Sequence, residues 1–209
     1  MGESKNGSRE PDEASQVRYA ARYADPFSLE TDRTRLRPYR ASDAVDVFPL
    51  VHRQPAVTDW ICWDGPETIA DLVDRYLSWC LHTPEEPVYV FMLESMTTGE
   101  IIGEGTLRFD GHPGVGDLGF WLGEAYHGRG HGRDAVDLLV RAGFEHCGAR
   151  TLTAQVMEGN ERSLAVLDRA GFQRHRAAEA GGCGGDSAER AIAWRARLDR
   201  EAWMGGPPG

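Results

Sequence analysis

The sequence predicts a mixed α/β domain, a mostly antiparallel sheet flanked by helices, and three observations predict it. Apolar residues cluster along "VYVFMLE" and "IIGEGTLRF", which the turn-forming "SMTTG" joins into an antiparallel hairpin. Ile69, Leu72, Val73, Tyr76, Leu77 and Cys80 recur at three- and four-residue spacing, which is one buried stripe of a helix. From "DLGFWL" onward the pattern switches repeatedly, reading strand, helix, strand, helix, strand.

Taken in order, residues 1–27 are polar, charged and poor in large aliphatics. They read as a flexible tail with room for a short helix at "VRYAARYA". "TRLRPYR" alternates and reads as a strand, and "ASDAVDVFPLVHR" as a helix with an irregularity at Pro49. The stripe helix, the hairpin and the strand "DLGFWL" follow, and then a helix ending near Gly148, a good left-handed cap residue. "TLTAQV" is a strand, "NERSLAVLDRA" a helix closed by Gly171, and "FQRHR" and "RAIAWRARL" are the last two strands. The domain therefore spans 28–204, with 205–209 a frayed end.

Composition excludes several classes. At 209 residues, 41% hydrophobic and 27% charged, the chain has room for a full core. No segment approaches the roughly 20 unbroken apolar residues of a membrane helix, and the N-terminus does not resemble a signal peptide, so a cytoplasmic protein without membrane partners is expected. A net charge of −10 argues against nucleic acid. Cys62, Cys80, Cys147 and Cys183 show no short metal-type pairing; reduced thiols are expected, and no metal.

The informative stretch is "YHGRGHGRDA". Gly128, Gly130 and Gly132 alternate, which is neither the dinucleotide fingerprint nor a phosphate-binding Walker loop, because Arg133 and Asp134 stand where Lys and Ser/Thr would be needed. What remains is a bare backbone opening a helix whose first amides lack internal partners, which is either an anion cradle or simply a tight turn.

The order "DLGFWL", "YHGRGHGRDA", "NERSLAVLDRAGF" resembles the GNAT superfamily of acyl-CoA N-acyltransferases, in particular the branch with ribosomal-protein alanine N-acetyltransferases. The resemblance covers about residues 28 to 204. The family's pyrophosphate motif is Gln or Arg, two residues, Gly, one residue, then Gly or Ala. It maps onto His127, Gly130 and Gly132, with His in the first place. The resemblance implies acetyl-CoA as the acyl donor. His127, Gly128, Arg129, Gly130, His131, Gly132 and Arg133 would form its phosphate cradle, and the backbone of Phe120, Trp121 and Leu122 would pair with pantetheine as an added strand would. It also places Asn160 on pantetheine or substrate and Ser163 near the thioester sulfur as the stabiliser of the departing thiolate. Asn160 is equally a good helix cap.

For chemistry, Asp117 stands where this branch often carries Glu, and Glu104 is a carboxylate amid apolar strand residues; either is the candidate base, or a structural ion-pair partner. The family's usual acid, a Tyr seven residues after the Asn, is Leu167 here. Trp60 and Trp63 in "VTDWICWDGPE" offer an aromatic wall for an amine acceptor, or else anchor their loop. The expected activity is direct acetyl transfer, through a ternary complex, to a primary amine of a small molecule or a protein N-terminus. The alternative is a noncatalytic acyl-CoA-binding module. Homodimers are frequent in the family, and the resemblance allows one here.

Overall fold

The computed structural model describes residues 27–80, 87–109, 112–182 and 191–205. The helix expected at "VRYAARYA" and most of the two terminal tails lie outside them. The first described residue, Phe27, stacks on His146 with ring centroids 4.1 Å apart and packs against the core.

Eight strands form one sheet: β1 (Leu29–Glu30), β2 (Thr34–Pro38), β3 (Val88–Ser95), β4 (Ile101–Arg108), β5 (Val115–Leu122), β6 (Thr151–Met157), β7 (Gln173–Gly182) and β8 (Ala191–Asp199). Their spatial order is β1-β2-β3-β4-β5-β6-β8-β7. Every pairing is antiparallel except β5 with β6. A parallel pair needs a crossover, and helix α4 (His131–Arg141), extended by a wider turn over Ala142–His146, supplies it.

On the opposite face lie α1 (Ala44–Val51), α2 (Pro55–Thr58) and α3 (Ile69–Cys80), while α5 (Glu161–Arg169) joins α4 on its side. Pro49 sits inside α1. A short helix, α6 (Arg200–Met204), follows the last strand where the sequence reading expected no further element. Among the described residues no helix is long and apolar enough to cross a membrane.

The sheet divides the interior into two cores. Phe91, Leu93, Leu107, Leu118, Leu122, Leu152 and Val156 meet Val136, Leu138 and Leu139 of α4 and Leu164 of α5. Val88, Val90, Met92 and Trp121 face Val47 and Val51 of α1 and Leu72 and Tyr76 of α3. This is the period of two expected of strands covered on both faces. A bulge shifts the β3–β4 register at Leu93/Glu94, which puts Ile101 and Ile102 out of phase with the rest of β4. Beyond it, Gly103, Gly105 and Leu107 face α4, and Glu104, Thr106 and Arg108 face α3. Gly105 is required there: a side-chain carbon at that position would lie 2.9 Å from Leu139.

One expectation fails. Cys62 is disulfide-bonded, so reduced thiols do not hold throughout. Scattered sequence positions say nothing of distance in the fold, and spacing therefore could not show this bond. Cys147 is a free thiol pushed up to about 12 by burial, which leaves it inert as a nucleophile.

Candidate active site

Strands β5 and β6 pair at only three rungs, Val115↔Thr151, Gly116↔Leu152 and Asp117↔Thr153. Past Asp117, β5 continues to Leu122 paired with β4, and β6 continues to Met157 paired with β8. The facing edges of 118–122 and 154–157 are therefore unpaired with each other. An opening inside the sheet results, with aligned main-chain donors and acceptors on either side.

The chain leaving β5 at this opening runs directly into the glycine turn. Gly130 adopts a left-handed conformation (φ 89°, ψ −13°) at the residue just before α4. The amides of Gly128, Arg129, Gly130, His131 and Gly132 donate to no acceptor among the described residues, whereas those of Arg133 and Asp134 bond the Gly130 carbonyl at 3.1 and 3.2 Å. A bare helix start of this kind carries partial positive charge and suits a diphosphate. His127 works differently from the others named for the cradle: its Nε2 lies 2.9 Å from the Leu122 carbonyl oxygen, bracing the turn against the end of β5. Arg129 has no ion pair among the described residues, and Arg133 only a loose one, 3.7 Å from Asp137.

The turn is braced from a second direction that the sequence reading missed. Asp134, buried in the first turn of α4, accepts two hydrogen bonds from the Arg33 guanidinium at 3.1 and 2.7 Å and others from the hydroxyls of Thr31 and Thr34. His131 shares the Thr34 hydroxyl at 2.8 Å, and burial holds its pKa below the usual imidazole value. Arg33 packs so closely on Gly130 that a side-chain carbon there would lie 3.1 Å from its Nε. The segment "TDRT" thus fastens the cradle; its residues carried a signal only as alternation with charges.

At Gly132 three pieces meet. A side-chain carbon there would touch Phe120 and Leu122 of β5 at 3.9 Å and Val166 of α5 at 4.0 Å. Asn160 caps α5, its Oδ1 accepting from the Ser163 amide at 3.1 Å, so the capping role expected of Asn160 is present. Ser163 uses its backbone in that contact and keeps its hydroxyl free of it. Leu167 is buried in the α4-side core. Trp121 and Leu122 are buried and Phe120 is half-buried, so packed side chains accompany the open backbone edge.

The two candidate bases share the α3 face of the sheet but not an environment. Asp117 pairs with Arg108 at 3.0 Å and accepts from the Thr153 hydroxyl at 3.1 Å, at the closed end of the opening. Glu104, four rungs further along, is only 4% exposed and accepts the Tyr76 hydroxyl. Burial raises Glu104 to about 6, against the pull of the Tyr76 hydrogen bond, the Arg75 charge and the Trp121 indole. Tyr76 is itself pushed well above its ordinary value by the same burial and by the adjacent carboxylate, so it stays a donor. The rung midway between the two carboxylates is Thr106↔Gly119, where β5 offers no side chain.

The tryptophans part company. The Arg75 guanidinium carbon lies 4.2 Å from the Trp63 ring centre and 4.4 Å from that of Trp79. Trp60 is 43% exposed and, with Asp59, Met157, Glu158 and Ala191, lines a hollow of about 140 Å³ at the end of β6. Sequence reading counted Tyr76 as core and did not single out Arg75 or Trp79. Among the described residues no cluster of three metal-ligating side chains occurs.

Comparison with known proteins agrees with this geometry. Solved structures similar to the chain include a GCN5-related N-acetyltransferase from Brucella melitensis, with 20% identity over 86% of this chain and 81% of that one and a TM-score of 0.66. RimJ from Mycobacterium smegmatis, in complex with CoA-disulfide, shares 22% identity over 80% and 82%, with a TM-score of 0.63. Spermidine N-acetyltransferase from Vibrio cholerae, in complex with CoA and spermine, shares 12% over 83% and 99%, with a TM-score of 0.69. A family model described as an acetyltransferase (GNAT) domain matches residues 33–173. With two thirds of its length matched, and the divided sheet and bare helix start in place, the chain belongs to the GNAT acetyltransferase family.

Proposed function

We propose that this protein is an acetyl-CoA-dependent N-acetyltransferase that acylates a primary amine of a small molecule or a peptide N-terminus directly, in a ternary complex. One observation carries the reading: the opening between β5 and β6 ends at the unpartnered amides of Gly128 to Gly132. An extended, amide-bearing thiol ester with a diphosphate at its far end matches both parts, and when bound it supplies an activated acyl carbon. Two neighbouring structures hold CoA or a CoA disulfide, and one of these also holds a polyamine, which supports an amine as acceptor.

Transfer forms one N–C bond and breaks one C–S bond, and the attacking amine gives up a proton. Glu104 takes it. A carboxylate near 6 is ionised at neutral pH yet basic enough to compete for that proton, and Tyr76 fixes its position. Asp117, held by Arg108 and Thr153, serves the ion pair that closes the end of the opening. Ser163, in the first turn of α5, stabilises the departing thiolate by a hydrogen bond from its hydroxyl, and the thiolate leaves as the anion and takes its proton from solvent. Main-chain amides and glycines do the binding, so the substitution of His127 at the motif's first place costs nothing: its imidazole holds the turn instead.

The test is thiol release from acetyl-CoA against a panel of amines, with mass detection of the acetylated product. Amine-dependent release is expected. Tight CoA binding without turnover on any amine would instead favour a noncatalytic acyl-CoA-binding module, the reading that the buried Leu167 suggests.

A further inference from the structure

We infer that the α3 face of the sheet carries a carboxylate-binding site, made by Arg75 and Arg108, which selects amine acceptors that bear a carboxylate of their own. The inference rests on the acceptor side of the proposed transferase site and names a class of substrate for it.

Arg75 projects from α3 with its guanidinium carbon 4.2 Å from the Trp63 ring centre and 4.4 Å from that of Trp79. None of its side-chain nitrogens donates to a protein acceptor among the described residues, and Nε is buried without a partner. Arg108 is better supplied, with a side chain 43% exposed. Its NH2 group holds Asp117 at 3.0 Å, but its Nε is also buried and unpartnered. The two cations are near enough that Arg108 disfavours the charge on Arg75, and desolvation disfavours it further. Glu104 offsets part of this through space, without a hydrogen bond to either guanidinium.

Arg75, with no protein acceptor on its guanidinium, and Arg108, with one, are two like charges held together, an incomplete arrangement because a desolvated cation without a partner is poorly compensated. An anion supplies what both lack. Arg108 lies on the rung at the closed end of the β5–β6 opening, Glu104 lies four rungs along on the same face, and midway stands Thr106↔Gly119, where the Thr106 hydroxyl is the nearest side-chain atom to the place a β5 side chain would take. A guanidinium presents coplanar N–H groups, the geometry that a planar carboxylate meets with two parallel hydrogen bonds. An acceptor amine directed toward Glu104 then carries its carboxylate to the arginines.

The experiment compares kcat/KM for β-alanine, 4-aminobutyrate and 5-aminovalerate with that for ethylamine, propylamine and butylamine, their counterparts lacking the carboxylate. At least one acid is expected to exceed its parent amine by tenfold or more, and Arg75→Met to bring that ratio toward one. Arg75→Lys, which keeps the charge and loses the planar fork, is expected to fall between, and the acetyl-CoA Kd checks that each variant is folded. In parallel, tryptophan fluorescence, reporting on Trp63 and Trp79, is titrated with glutarate and separately with inorganic phosphate in the wild type and in Arg75→Met. An Arg75-dependent response to glutarate supports the site even if no amine in the panel turns over, an outcome that would count against the transferase reading alone. A response to phosphate but not glutarate overturns the carboxylate assignment. Equal rates for acids and parent amines, with no glutarate response, would show that solvent satisfies the two arginines and would end the proposal while leaving the transferase intact.

Discussion

The Tyr76 hydroxyl donates to the Glu104 carboxylate inside the apolar layer between α3 and the sheet, and this contact ties the proposed chemistry to helix packing. Leu72 and Tyr76 bury the same helix face, so displacing α3 would also displace the base.

Glu104→Gln is expected to lower kcat/KM by about 10²-fold or more and to remove the acid limb of its pH profile, which in the wild type rises through about pH 6. Stability should move the other way. The folded-state pKa lies above the reference 4.5, so the folded protein holds this proton more tightly than the unfolded chain, and the group's contribution falls as pH rises from about 4.5 through 6. That difference corresponds to about 2 kcal/mol. Urea denaturation should find the Gln variant more stable than wild type by up to this amount at pH 8 and no more stable at pH 4.

Gly130→Ala combines a left-handed backbone with a side-chain carbon 3.1 Å from Arg33. A destabilisation of about 1–2 kcal/mol is expected. Calorimetry should also show CoA affinity reduced by an order of magnitude, since the free amides would no longer point together. Unchanged affinity in a folded variant would remove the turn from cofactor binding.

Asp134→Ala leaves the Arg33 guanidinium and the hydroxyls of Thr31 and Thr34 without their common acceptor. The half-exposed Arg33 can then turn to solvent, so the loss should stay near that of the missing hydrogen bonds, about 1–2 kcal/mol. Arg33→Ala instead leaves the buried carboxylate without its cation, so it should cost more, about 3 kcal/mol. Chemical denaturation of the two variants decides the order.

Asn160→Ala removes the α5 cap and should cost about 1 kcal/mol. Ser163→Ala keeps the backbone half of that cap, so its thermal midpoint should stay near wild type while kcat falls about tenfold with little change in CoA affinity. Wild-type kcat in Ser163→Ala would exclude its hydroxyl from the mechanism.

The sheet, its helices and the glycine turn were legible in sequence because each rests on local periodicity or on a backbone requirement at one position. Gly130 and Gly148 both have positive φ, as an abrupt helix start and a left-handed cap demand. Helix α6 was missed because "RLDREAW" continues the charged alternation of β8 before turning helical. The environment of Glu104 was legible only in part. Strict alternation through "IIGEGTL" would place Ile102 and Glu104 on one face, and the bulge opposite Leu93 separates them. Tyr76 reads as part of one helix stripe, and Arg75 and Trp79 stand outside it; their relation to Glu104 and Trp63 is a long-range contact that spacing does not encode. The Asp134–Arg33 pair, about a hundred residues apart in the chain, was hidden for the same reason.

A sheet joined across its middle by three rungs has two halves with independent means of support, β1 to β5 on one side and β6 to β8 on the other. Backbone protons along 118–122 and 154–157 that face the gap should therefore exchange with deuterium faster than their neighbours in the fully laddered strands, although they sit at the centre of the molecule. An occupant lying in the gap would bridge the halves, and its arrival would be read as slowed exchange on both sides of the seam at once.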